Sequence, residues 1–203
     1  MTKDEQRRQE IFEKESTRFL SEGFTADDIT TSTGAANLIG PLIGCVLCIP
    51  FVIVYLIRDL HAFADIEPGW FMLATLAGIV CIVIHELLHG LTWSLFTKNG
   101  FKSVAFGFIV QYLTPYCSCK EALKRGSYIA GLLMPCIILG VIPMTVACVI
   151  MNVYVLIFGL MMTITAGGDL MILTMIIKAK RVKNEYFLDH PTKIGLVRFS
   201  KDG

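Results

Sequence analysis

Residues 69–97 read GWFMLATLAGIVCIVIHELLHGLTWSLFT, and Glu86 is the one charged residue among them. A helix needs about 20 mostly apolar residues to cross the hydrocarbon core of a bilayer, so this stretch is long enough to span one. Trp70 and Trp93 stand near its two ends, where an aromatic belt meets the membrane surfaces. Similar stretches lie on either side. No charge occurs between Asp28 and Arg58 or from Gly126 to Gly168, and Asp169 alone interrupts the run that continues to Lys178. The pattern predicts four spans, over residues 35–57, 69–96, 128–149 and 153–177. The link between the last two is so short that they should form an antiparallel hairpin. Composition agrees: the 203 residues are 54% hydrophobic and 17% charged, against about a quarter charged in a soluble domain. The expected fold class is an all-α membrane protein with about four transmembrane helices.

Lysine and arginine set the expected orientation. Five precede residue 19, Arg58 stands alone in the first loop, five lie in the loop 97–127, the third loop has none, and seven follow from Lys178 onward. Positive charge collects on the cytoplasmic side of membrane proteins. Both termini and the loop 97–127 are therefore expected in the cytoplasm. The chain divides into a cytoplasmic segment 1–34, a membrane domain 35–180 and a cytoplasmic tail 181–203. Residues 1–33 carry charges throughout and contain no apolar core of a signal peptide, so the first span should act as its own insertion signal. A net charge of +1 argues against a nucleic-acid partner, which calls for a basic face.

Three segments outside the spans have readable features. Residues 3–22 suit a charged helix with Ile11, Phe12, Phe19 and Leu20 on a narrow apolar stripe, lying on the membrane surface or packed on the rest of the protein. Residues 24–34 read as a turn-rich linker. Within the cytoplasmic loop between helices 2 and 3, residues 103–113 (SVAFGFIVQYL) are uncharged and rich in β-branched and aromatic side chains, which predicts a short strand or hairpin. It would cap the bundle or pair with an extended peptide. The seven cysteines show no disulfide framework, and Cys117-x-Cys119 supplies too few ligands for a closed metal site.

The chemistry concentrates in His85-Glu86-Leu87-Leu88-His89. Residues four apart share a helix face, so both imidazoles reach one cation, and Glu86 lies where a carboxylate can take a proton from an activated water. Two histidines and a carboxylate with an open position suit Zn2+. Ionisable groups inside a membrane span cost several kcal/mol each unless they are paired or bound, which makes chance a poor explanation here. Asp169 is the one acid in the fourth span. At about 1.5 Å per residue, His85 and His89 lie roughly 16 and 10 Å from the cytoplasmic end of their span, and Asp169 roughly 12 Å from the end of its own. The three candidate ligands fall at one level. Gly167 and Gly168 would let a neighbouring helix come close. Thr165 would either orient the Asp169 carboxylate or bond its own i−4 carbonyl. His61 and His190 read as surface histidines.

HELLHG in an apolar helix followed by an intramembrane aspartate resembles the site-2 protease superfamily of intramembrane zinc metalloproteases. The segments TPYCSCKEAL (114–123), MPCIILGVIP (134–143), AGGDLMI (166–172) and DHPTKIG (189–195) extend the likeness to the putative zincin peptidase family of small prokaryotic membrane proteins. The resemblance implies a prokaryotic cell membrane, Zn2+ on His85, His89 and Asp169, Glu86 as catalytic base, and a membrane-embedded or membrane-adjacent polypeptide as substrate. Where many site-2 proteases carry Asn-Pro-Asp-Gly, this chain has Gly-Gly-Asp-Leu. Two other classes compete. A metal-binding membrane regulator without protease activity would often lose the base, which is intact here. A small ion or proton transporter would show repeats or a polar path, and neither is visible.

Overall fold

A computed structural model describes residues 3–61, 63–64, 66–109 and 114–201. The apolar stretches form helices. α2 (Thr33–Arg58) begins at Ser32, whose hydroxyl accepts the Ala35 N–H. α3 (Pro68–Ser94) begins on a proline, the residue that fits a first helical turn. α4 (Arg125–Pro135) continues through a π-helical segment, Cys136–Val141, into α5 (Ile142–Ile150). Met151 then takes a left-handed conformation, and the Asn152 carboxamide accepts the Tyr154 and Val155 N–H groups. That tight turn sends α6 (Val153–Thr165) back along α5, and α7 (Gly167–Lys178) follows.

α2, α3 and the α4–α5 rod are each long and apolar enough to cross a membrane, and α6 with α7 makes a fourth crossing if the bent pair is one span. Their outer faces fit an apolar surrounding. Leu38, Leu42, Val46 and Ile53 on α2, and Leu73, Leu76, Val80 and Val83 on α3, are all exposed. Contiguous apolar surface on this scale is unusual on a water-soluble monomer.

The fourth span departs from the single helix that the sequence predicts. It bends by 50° at Ala166. Gly167 and Gly168 follow at once, and the Thr165 hydroxyl bonds the Met161 carbonyl rather than supporting the helix ahead. Back-bonding of a threonine to its i−4 carbonyl often bends a helix, and glycines beside it make the bend easier.

The chain also forms more strand than an all-α reading allows. The expected linker is β1 (Thr25–Thr31), and the tail forms β5 (Asn184–Asp189) and β6 (Ile194–Lys201). With β4 (Leu123–Lys124) they make an antiparallel sheet in the order β1-β6-β5-β4, with Ile29 opposite Leu196 and Phe187 opposite Arg198. Alternation explains it. Phe187 and Leu196 point to the helix ends and pack with Trp93, Tyr128 and Ile176. Leu188, Val197 and Phe199 point the other way, onto Phe19 of α1 (Lys3–Ser21). The charged helix thus lies on the protein, as one of its two readings held.

All four strands attach at one end of the bundle: before α2, before α4 and after α7. Arg125 clamps them there. Its guanidinium donates to Glu185 Oε1 at 2.6 Å and to the Ile176 and Ala179 carbonyls at 3.0 and 3.1 Å, capping the end of α7. A second pair of strands, β2 (Val104–Ile109) and β3 (Thr114–Cys119), is antiparallel and lies against α3. The rest of the expected strand stretch, residues 110–113, lies outside the described residues.

Candidate metal centre

His85 and His89 sit one turn apart on the inward face of α3 and are only 5% and 4% exposed. Asp169 comes from the bent span. The break at Ala166 starts a new helix, so Asp169 falls in the first turn of α7. Free N–H groups and the helix dipole favour negative charge there. Gly167 approaches the backbone of α2 at Gly40 and Pro41, whereas a Cβ on Gly168 would meet open space. One of the two glycines serves the close approach.

The three side chains converge. His85 Nε2 is 3.0 Å from Asp169 Oδ2, His89 Nε2 is 3.4 Å from the same oxygen, and the two Nε2 atoms are 3.2 Å apart. Among the described residues no second group of three such side chains comes together this way. The triangle fits zinc. Bonds of about 2.0–2.1 Å in a tetrahedron place neighbouring ligand atoms roughly 3.3 Å apart. His89 Nδ1 lies 2.8 Å from the Gly131 carbonyl, and a carbonyl can only accept, so Nδ1 carries a proton and the neutral ring turns its Nε2 lone pair into the triangle. In that state the lone pair faces the Asp169 oxygen and His85 Nε2 at 3.4 and 3.2 Å. A cation inside the triangle satisfies all three atoms.

Further groups brace the centre. The Gly131 carbonyl orients His89 as outer partners of metal-binding histidines do. Trp93 stacks on the His89 ring at 5.2 Å, and its indole N–H donates to the Tyr128 carbonyl at 3.2 Å. A Cβ at Gly131 would overlap that indole. Glu86 is partly buried, and its carboxylate accepts the backbone N–H of Cys117. Lys120 N–H donates to the Ser103 carbonyl at 2.7 Å. In an antiparallel ladder that fixes the alternation, so the Cys117 and Cys119 N–H groups point away from β2. Cys119 N–H meets Asp189 Oδ2 at 3.1 Å.

Both cysteine side chains are free thiols, and burial pushes both upward, Cys119 to about 12. They stay protonated at neutral pH and are no part of the cluster of three. Thr165 takes its i−4 option and does not hold Asp169. His61 is exposed, but His190 is not an idle surface residue: its Nδ1 accepts the Thr192 and Lys193 N–H groups and shapes the β5–β6 turn. Gly131, Trp93, Tyr128, Cys117 and Asp189 were not marked for this site by the sequence. The strings TPYCSC and DHPTKIG contain two of them, but a string assigns no partner.

A helix-borne His-Glu-x-x-His with a converging aspartate, on apolar helices, supplies the side chains that a zincin-type metallopeptidase needs. The chain belongs to the family described as "Putative zincin peptidase", whose model matches residues 78–182, just over half of its length. Zinc is the cofactor that this membership implies. No match was found among curated proteins or among solved structures.

Proposed function

We propose that this protein is an intramembrane zinc metalloprotease, with His85, His89 and Asp169 as metal ligands and Glu86 as general base. The supporting observation is the triangle of two Nε2 atoms and one carboxylate oxygen at 3.0–3.4 Å, carried on helices apolar enough to cross a membrane. Bound zinc would supply Lewis-acid polarisation of the scissile carbonyl and a lowered pKa for the attacking water.

The chain's own groups do the rest. The Gly131 carbonyl keeps a His89 proton on Nδ1, and the start of α7 holds Asp169 opposite the two imidazoles. Glu86 takes a proton from the attacking water and returns it to the leaving amine. The Cys117 N–H aims its carboxylate while that transfer occurs. The substrate is a membrane-embedded or membrane-adjacent segment, which must leave its helical conformation before its carbonyl can be reached. The edge of β3 beside Glu86 presents the Pro115 and Cys117 carbonyls outward, and Pro115 has no competing N–H. These are acceptors for the N–H groups of an unwound stretch. The four-stranded sheet and α1 sit at the Lys- and Arg-rich end, which the positive-inside rule assigns to the cytoplasm.

The test combines metal analysis with Glu86→Gln. The variant should keep one metal per chain and lose cleavage of membrane-embedded reporters. Cleavage at the wild-type rate would remove Glu86 as the base.

A further inference from the structure

The DHPTKIG string has no part in the proposed chemistry, yet its first residue occupies a junction. Asp189 lies on β5, outside the metal centre. Its Oδ1 accepts the Tyr128 hydroxyl at 2.5 Å, and its Oδ2 accepts the Cys119 N–H at 3.1 Å. Each bond leads to a different part of the site.

On one side, Cys119 is two residues along β3 from Cys117, whose N–H holds Glu86. Both N–H groups lie on the same strand edge, roughly 7 Å apart. Asp189 and Glu86 are thus consecutive acceptors on one edge, and a shift of β3 along its axis would disturb both bonds. On the other side, Tyr128 is one turn before Gly131, whose carbonyl holds His89 Nδ1. The Tyr128 carbonyl also receives the Trp93 indole that stacks on His89.

We propose that Asp189 is a positioning residue that fixes the strand behind Glu86 and the helix behind His89 relative to each other. This rests on the zinc-protease reading above. Docking the sheet does not require Asp189. The Arg125–Glu185 pair and the packing of Phe187 and Leu196 already hold the sheet to the helix ends. What Asp189 adds is register between β3 and α4.

The experiment uses the full chain in detergent or bilayers, with three readouts: kcat against KM on a membrane-embedded reporter, Zn2+ affinity by chelator competition, and the visible absorption of the Co2+-loaded protein. Asp189→Ala should lower kcat about 10- to 100-fold with little change in KM, and weaken Zn2+ binding by about tenfold, the usual range for outer partners of a metal site. Its Co2+ spectrum should shift as His89 loses its fixed orientation. Tyr128→Phe should reproduce the loss of metal affinity with a smaller fall in kcat. Asp189→Asn keeps an acceptor for Cys119 N–H and gives Tyr128 a donor, so it should restore most of the function. If Asp189→Ala fails to fold, Tyr128→Phe and Asp189→Asn carry the test: wild-type metal affinity in Tyr128→Phe overturns the proposal. So does a wild-type Asp189→Ala. Glu185→Gln is the control for docking alone. It should lower thermal stability and leave kcat and the Co2+ spectrum unchanged; equal losses in Glu185→Gln would assign the effect to docking. Failure of the protease reading is seen separately, as unchanged cleavage by Glu86→Gln, and the metal-affinity arm remains a test of Asp189.

Discussion

Gly40 on α2 and Gly167 on α7 meet backbone to backbone: a Cβ on Gly167 would collide with the Gly40 carbonyl, and one on Gly40 would press on the Gly167 main chain. This contact sets where α7 begins, and Asp169 is two residues further on. A side chain at 167 must therefore push the start of α7 away from α2 and carry the carboxylate with it. Gly167→Val should weaken Zn2+ binding strongly while His85, Glu86 and His89 stay in place on α3. Gly168→Ala, facing open space, is the matched control and should bind like wild type. Equilibrium competition with a chelator measures both, and equal affinities would show that the contact does not place Asp169.

The glycine that ends HELLHG has a comparable role on the other side of the centre. A Cβ on Gly90 would collide with Phe106 and Val104 of β2. Gly90→Val should lift the β2–β3 pair from α3 and take the Cys117 N–H from Glu86. Overpacking of this kind typically costs about 1–3 kcal/mol. The ligands are untouched, so metal content should remain at one per chain while kcat falls. A variant that loses metal and activity together would mean that the sheet also supports the ligands.

These contacts explain how far the sequence could be read. The apolar runs marked the spans because membrane helices repeat one simple composition over many residues. His85, Glu86, His89 and Asp169 were conspicuous because ionisable groups are rare in such runs. The kink at Ala166 was not legible, since the glycines beside it equally suit close helix packing. The four-stranded sheet was missed because its strands are short, charged at several positions and far apart in sequence. Thr25–Thr31 pairs with Ile194–Lys201, and neither segment has an apolar run to announce it. The braces of the site were hidden for another reason. Gly131 and Cys117 act through main-chain atoms, which every residue has.

Removal of Asp169 should uncouple stability from metal. A ligand that binds the folded state alone stabilises it in proportion to the logarithm of its excess over Kd. Wild-type protein should therefore melt lower after treatment with a strong zinc chelator and recover on adding Zn2+. Asp169→Ala keeps both histidines but opens the triangle. Its melting temperature should be nearly independent of chelator and of Zn2+ at concentrations that saturate the wild type. A full Zn2+-dependent rise in Asp169→Ala would assign the third ligand to another residue.

The turn that leads from α3 into β2 should loosen in acid. Glu121 accepts the Lys98 N–H at 3.0 Å, the Asn99 carboxamide at 2.9 Å and the Ser103 hydroxyl. Burial alone would raise this carboxyl, but the Ser103, Lys98 and Asn99 donors outweigh it and hold it below the ordinary value of 4.5. A carboxyl lowered in the folded state contributes its full stabilisation above its unfolded value. That contribution is lost as pH falls from there through the folded value. Hydrogen exchange of the Gly100–Ser103 amides should therefore quicken, beyond its intrinsic pH dependence, as pH drops below about 4.5. Glu121→Gln keeps an acceptor but cannot titrate. Its turn should exchange faster than wild type at neutral pH and show no added acceleration in acid. Identical pH profiles in the two proteins would mean that Glu121 does not hold the turn, and that the approach of β2 to Gly90 is set by packing alone.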